Sequence, residues 1–213
     1  MSEMKDIPNA VAVLLDVVSS RQGDRARQHA DLLRAVDVVN AAVPALDPLH
    51  PTVGDELQGV YSSLGDALNA VFRLRLLVSP GVDLRAGIGG GEVRVIDAEH
   101  RIQDGSAWWR AREAIDAVKA LATATGYRSA RVGIQDARPA ASPSAGPLSR
   151  LVDSSLHRLR PGVAATLLGV LDEEDNATIA ERQGISPSAN SQRVGTNDLR
   201  IVADAIRALG ELP

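Results

Sequence analysis

The 213-residue chain is 45% hydrophobic, sets 23 Lys+Arg against 27 Asp+Glu for a formal net charge of −4, and contains no cysteine. This is enough apolar material for one large or two small cores, while the charge balance excludes a general basic field for nucleic acid, so any such contact must come from a local patch. Without cysteine there are no disulfides, thiolate metal sites or cysteine nucleophiles. No apolar run approaches the roughly 20 residues of a membrane span, and with neither signal peptide nor anchor recognised the chain is expected to be cytoplasmic.

The run from Val11 to Val18, ending in Ser19-Ser20, is rich in β-branched residues and reads as a buried central strand with one carboxylate, Asp16, near its exit. From Gly23-Asp24 the apolar positions Ala26, Ala30, Leu33, Val36, Val39 and Val43 recur every three or four residues, giving an amphipathic helix that Pro44 ends. Pro48 and Pro51 allow residues 46–53 only an edge strand or an irregular lead into Gly54-Asp55-Glu56. Residues 57–61 return as the second arm of a hairpin, and Ser62 or Ser63 caps a second helix closed by Pro80-Gly81. Residues 82–88 alternate as a strand, and Gly89-Gly90-Gly91-Glu92 reads as a turn with little side-chain bulk. Its spacing is that of neither a dinucleotide fingerprint nor a P-loop. A third helix over 105–125 carries both tryptophans, Trp108 and Trp109, facing about 100° apart, and residues 128–134 form a further strand. Short elements in the order β–α–β–β–α–β–(β)–α–β indicate an α+β domain over 1–137, with helices on one face of a mostly antiparallel sheet.

Residues 138–149 contain almost nothing able to form a core and read as a Pro/Ser/Ala-rich linker. Beyond it, 150–213 reads as a small all-helical domain, with two helices split at Pro161-Gly162 and then an acidic run, Asp172 to Asp175, suited to a helix start. In the stretch from Thr178 to Arg193, Ile179 and Ala180 supply an inner face and Gly184 permits a tight turn. Ile185 plugs the angle, and Ser186 with Pro187 opens the next helix. This is the spacing of a helix-turn-helix whose second helix offers Ser186, Ser188, Asn190, Ser191, Gln192 and Arg193 to DNA. Asn, Gln and Arg are suited to base edges and serines to phosphates. Residues 150–213 hold 7 Arg and no Lys against 9 Asp+Glu, so phosphate attraction is small and binding is expected to be weak or dimer-dependent. A last helix, from Asn197 to Leu209, covers the reading head or pairs with another subunit.

The Ala-x-x-x-Gly-Ile-Ser pattern resembles the helix-turn-helix of sigma-factor promoter-reading domains. The pieces Val13 to Ser20, Thr52 to Glu56 and Leu84 to Val93 resemble, in order and spacing, the palm domain of class III nucleotide cyclases and diguanylate (GGDEF-like) cyclases. Taken with Gly105 to Ala114 and the helix-turn-helix, the whole chain more closely resembles the SatD family. The resemblance implies a ferredoxin-like palm, a metal pair at Asp16 and Asp55 holding Mg or Mn, and a nucleotide contacted by Ser19, Ser20, Gly54, Arg85, Gly89 and Gly90. It also implies pairing of palms, so that two reading heads suit a palindromic site with half-sites one helical turn apart.

Departures from the cyclase pattern weigh against catalysis. Pro51 stands where cyclases carry a base-selecting Lys, and Trp109 and Glu113 fall where they carry the transition-state Asn and Arg. The expected function is therefore a homodimeric DNA-binding transcriptional regulator with a degenerate cyclase-like sensory domain. The alternatives are an atypical nucleotidyl cyclase or nucleotidyltransferase and a protein-interaction module of the transcription machinery.

Overall fold

The computed structural model describes residues 5–18, 25–52, 56–160 and 162–213. The strands are β1 (Lys5–Val17), β2 (Asp47–Pro51), β3 (Leu57–Tyr61), β4 (Leu84–Asp97), β5 (Ile102–Asp104) and β6 (Val132–Asp136). The helices are α1 (Arg25–Ala42), α2 (Leu64–Val78), α3 (Ser106–Leu121), α4 (Ala145–His157), α5 (Val163–Leu171), α6 (Asn176–Arg182), α7 (Pro187–Thr196) and α8 (Leu199–Gly210). The sheet runs β2-β3-β1-β4-β5, all neighbours antiparallel, and β6 joins the first half of β4 in parallel through Ala86 to Gly90. The protein is thus a mixed α/β fold dominated by an antiparallel sheet.

Helices cover both faces of this sheet, not one. Successive residues of a strand point to opposite sides, and in β1 both sets are buried. Val11, Val13 and Leu15 pack with α1, α2 and the later helices, while Ala10, Ala12 and Leu14 pack with Ala107, Ala111 and Ile115 of α3. A central strand closed on both sides reads as a continuous apolar run, which is why β1 shows no polar alternation before Asp16. At the far edge, β2 is covered by α1. The Asn40 amide donates to the Leu49 carbonyl at 2.8 Å and accepts from the Leu49 N–H at 2.9 Å, standing in for a missing strand.

The glycines at 89–91 lie inside β4 and form no turn. Their absent side chains let α3 lie directly on the sheet. A Cβ at Gly87 would collide with the Ala111 carbonyl oxygen, and one at Gly89 with that of Ala107. The segment 138–149, read as a linker, meets the core at three buried positions and passes into α4 at Ala145. Arg138, Ala145 and Ser149 are all buried. Arg138 pairs with Asp136 at 2.8 Å and donates to the Pro213 carbonyl at 2.8 Å, so a stretch poor in apolar residues is held by ionic and polar contacts instead.

The C-terminal helices share one apolar cluster with the sheet. Leu199, Val202, Ala203, Ile206 and Leu209 of α8 belong to the same buried set as Leu64, Leu68 and Phe72 of α2 and Val13 of β1. The junction is pinned by Asp153 of α4, which is completely buried. Its carboxylate takes a hydrogen bond from the Arg75 guanidinium of α2 and accepts the backbone N–H groups of Arg131 at 2.7 Å and Val132 at 2.9 Å, where β6 begins.

Two predictions follow from this packing. Breaking a buried ion pair by removing one partner costs about 3–5 kcal/mol, so Asp153→Asn should lower the unfolding free energy by an amount in that range, measured by urea titration. The Tyr61 hydroxyl is buried with no partner among the described residues, and desolvation, followed by the charges of Asp66 and Asp47, pushes its pKa well above the ordinary value. Above pH about 10 the unfolded tyrosine releases a proton that the folded one keeps, so stability falls as pH rises through that region. Tyr61→Phe should remove that alkaline loss. It should also stabilise the fold at pH 7 by about 1 kcal/mol, the lower end of the cost of an unsatisfied buried polar group.

Candidate functional site

Two places carry the residues singled out by sequence. The first lies where β1 leaves the sheet. Asp16 sits opposite Arg85 of β4 in the antiparallel register, and the two side chains form an ion pair at 3.1 Å. By strand alternation both lie on the α3 side, where Arg112 of α3 holds Glu56 through two bonds of 3.2 and 3.3 Å. Hydrogen bonding to Glu56 raises the Arg112 pKa, and the charges of Glu56, Asp116 and Asp16 add to this against some desolvation. The Arg85 side chain is largely buried, and its Nε finds no hydrogen-bond partner among the described residues.

Asp55, Gly54, Ser19 and Ser20 lie outside the described residues. The described residues alone do not suit a divalent ion: Asp16 already has a guanidinium as counter-ion, and they contain no group of three acidic or histidine side chains able to hold a metal. Gly89 and Gly90 do not line an open phosphate cradle either. α3 fills the space over Gly89, and the Asp136–Arg138 pair fills that over Gly90. Arg110 donates to the Gly90 carbonyl at 3.1 Å, so it too is spent on the sheet. Of the tryptophans, Trp108 packs against the α3-side core, whereas Trp109 is 61% exposed and donates to Asp104 at 3.0 Å.

The second place is the pair α6 and α7. Asp175 caps α6, accepting from the N–H groups of Ala177 and Thr178; the Thr178 hydroxyl above all, and then these N–H groups, hold its carboxyl below the usual range against some desolvation. Gly184 follows α6 in the left-handed region at φ +63°, and the Ile185 N–H returns to the Ala180 carbonyl at 3.0 Å, closing the helix as a Schellman-type end. Ser186 then caps α7, accepting from the Ala189 N–H at 3.1 Å, with Pro187 in the first turn.

The structure divides the six residues assigned to DNA. Asn190 is fully buried, accepting from the Thr166 hydroxyl at 2.9 Å and donating to Asn176 at 2.9 Å. Arg193 is half-buried, donating to Gln183 at 2.7 Å and to the Gly162 carbonyl at 3.4 Å. Gln183 in turn donates to Thr166 at 3.0 Å. A connected chain of polar side chains thus runs through α5, α6, their flanking turns and α7, so Asn190 and Arg193 hold the helices together instead of reaching for bases. Ser186 is spent as a cap, which leaves Ser188, Ser191 and Gln192 exposed on the outer face of α7. Sequence reasoning passed over Thr166 and Gln183. The available signal was Thr166 itself, the sole polar side chain in the apolar helix VAATLLGVL.

An α/β protein with a helical C-terminal unit built onto its sheet is the class that this architecture defines. The sequence matches the SatD family over residues 10–209, and the chain belongs to that family. No curated protein matches it. Among solved structures it is similar to the catalytic core of a rhodopsin-guanylyl cyclase with converted specificity, in complex with ATPalphaS, at 15% identity over 55% of this chain and 76% of the other, with a TM-score of 0.42. It is also similar to the monomeric guanylyl cyclase domain of the RhoGC fusion protein from the aquatic fungus Blastocladiella emersonii (double mutant), at 16% identity over 54% and 77%, with a TM-score of 0.41. A third, the Regulator of Polyketide Synthase Expression from Bifidobacterium adolescentis, overlaps 97% of this chain and 81% of its own at 13% identity, with a TM-score of 0.31. These overlays are loose and carry no functional argument. Among the described residues no helix is long and apolar enough to cross a membrane.

Proposed function

We propose that this SatD-family protein is a DNA-binding regulator in which α6, the Gly184 turn and α7 act as a helix-turn-helix, and α7 is the reading helix. One observation carries the reading: α7 is locked from behind by Asn190 and Arg193 while Ser188, Ser191 and Gln192 stand exposed at helical spacing on its outer face. A helix held in one attitude with small polar side chains outward can lie in a major groove. Gln192 there suits the paired acceptor and donor of adenine, and the serines suit phosphate oxygens. The helical part supplies little free positive charge, since residues 150–213 carry more acids than arginines and Arg182 is engaged by Glu174. Affinity per chain is therefore low and its salt dependence shallow.

Selection from a random duplex library tests this. An enriched sequence is expected, and Gln192→Ala should weaken binding to it by roughly 1–3 kcal/mol and relax preference at one base pair without changing stability. Asn190→Ala should instead lower stability by about 1–3 kcal/mol, because the Thr166 hydroxyl loses its buried side-chain acceptor and the Asn176 side-chain oxygen loses its donor. No enrichment, or a Gln192→Ala protein with unaltered preference, contradicts the reading.

A second reading, a nucleotide site on the sheet, is favoured by the buried Arg85 with its unpartnered Nε beside Asp16. An anionic ligand oxygen would satisfy that donor. Calorimetric binding of ATP or GTP that needs Mg or Mn and disappears in Arg85→Ala is the expected result. No heat with either nucleotide and either metal removes it.

A further inference from the structure

The face of α8 turned away from the core carries an apolar strip. At about 100° per residue, Ile201, Ala205 and Ala208 fall within an arc of about 60°. All three are exposed, Ile201 at 68%. Beside this apolar strip runs a charged one within a similar arc: Arg200, Asp204, Arg207 and Glu211. Arg207 is engaged within its own chain, by the Val170 carbonyl at 2.6 Å and by Asp204 at 3.1 Å. Arg200 and Glu211, at the two ends, have no side-chain partner among the described residues and stand exposed.

We infer that this face of α8 pairs with α8 of a second copy of the chain, antiparallel, about a two-fold axis at Ala205. The order of charges along α8 sets both the direction and the register of the pair. A two-fold axis perpendicular to both helices keeps the charged strips on one side and reverses their direction. With Ala205 on Ala205 of the partner copy, Ile201 of each chain lies over Ala208 of the other. The same register sets Arg200 opposite Glu211, both free to bond across the contact, and Asp204 opposite Arg207, which keep their bonds within each chain but face a charge of opposite sign. A parallel pair, related by an axis along the helices, would put the two charged strips on opposite sides of the contact, where neither meets the other and their alternating charges gain nothing. The two alanines allow the helix backbones to approach closely, and each isoleucine is then covered. An unrelated partner would not need the strip to be complementary to its own reversal.

Two helices of three turns cover less than the roughly 1,200 Å² of a specific, stable interface, so the pairing is weak and concentration-dependent. It does not rest on the DNA reading, because it is measured without nucleic acid. Sedimentation equilibrium of the full chain, from low micromolar to about 500 µM as a contact of this size requires, should show a monomer–dimer equilibrium. Ala205→Glu places an unpaired charge in the centre of the contact and should raise the dissociation constant about tenfold or more. Its melting temperature should not move, since Ala205 is exposed in the single chain. Arg200→Glu should weaken the dimer, and Arg200→Glu with Glu211→Arg in the same chain should restore it. A chain that stays monomeric throughout, a dimer indifferent to Ala205→Glu, or a double charge exchange that fails to recover pairing overturns the inference.

Discussion

A carboxylate shut off from water must be compensated completely, and in being compensated Asp153 ties three elements together. Arg75 brings α2, the N–H groups of Arg131 and Val132 bring the start of β6, and Asp153 itself belongs to α4. α4 packs on α8, and α8 packs on α2, so the contact closes a ring between the sheet's helices and the C-terminal ones. The consequence reaches α7. Its attitude is set through α5 and α8 by packing on the same core as the strands, not by a tether.

The other face of the sheet obeys a different constraint, that of backbone approach. Gly87 and Gly89 on β4 and Gly133 on β6 clear a flat strip on which the α3 backbone rests, with Ala107, Ala111 and Ala114 turned inward. Small residues on both partners bring the layers together at the cost of any open cradle. The polar end of that strip, where Asp16 meets Arg85 and Arg112 meets Glu56, is where charged groups gather on this side. Each of these acids faces an arginine, so the charges at this end of the strip are paired one to one.

Much of the fold was legible because apolar periodicity reports burial directly. The order of strands and helices through β6, the Ser63 cap of α2, the prolines that confine β2 to an edge and the Gly184–Ser186 turn all follow from local chemistry. What was illegible depends on the partner across space. The glycines at 89–91 have a turn's composition, and only the helix above them makes them a strand. Residues 138–149 have a linker's composition, and only Asp136 and the Pro213 carbonyl make Arg138 a buried anchor. Asn190 and Arg193 are chemically able to read bases, and nothing local tells which way a helix of mixed polarity turns. Thr166 and Asn176, distant in sequence, decide it for Asn190. The acidic side chain at Asp16 was legible, while its pairing with Arg85 required the register of β1 on β4.

Because they share one apolar core, the C-terminal helices and the sheet should unfold as one cooperative body. Native-state hydrogen exchange followed against denaturant measures it most directly, because each amide reports the opening that exposes it. Amides of Val202, Ala203 and Ile206 in α8 should converge with those of Val11 to Leu15 in β1 on a single opening free energy. If α5 to α8 instead exchange together at a distinctly lower free energy while the sheet stays protected, the helices form a separate unit and the account fails.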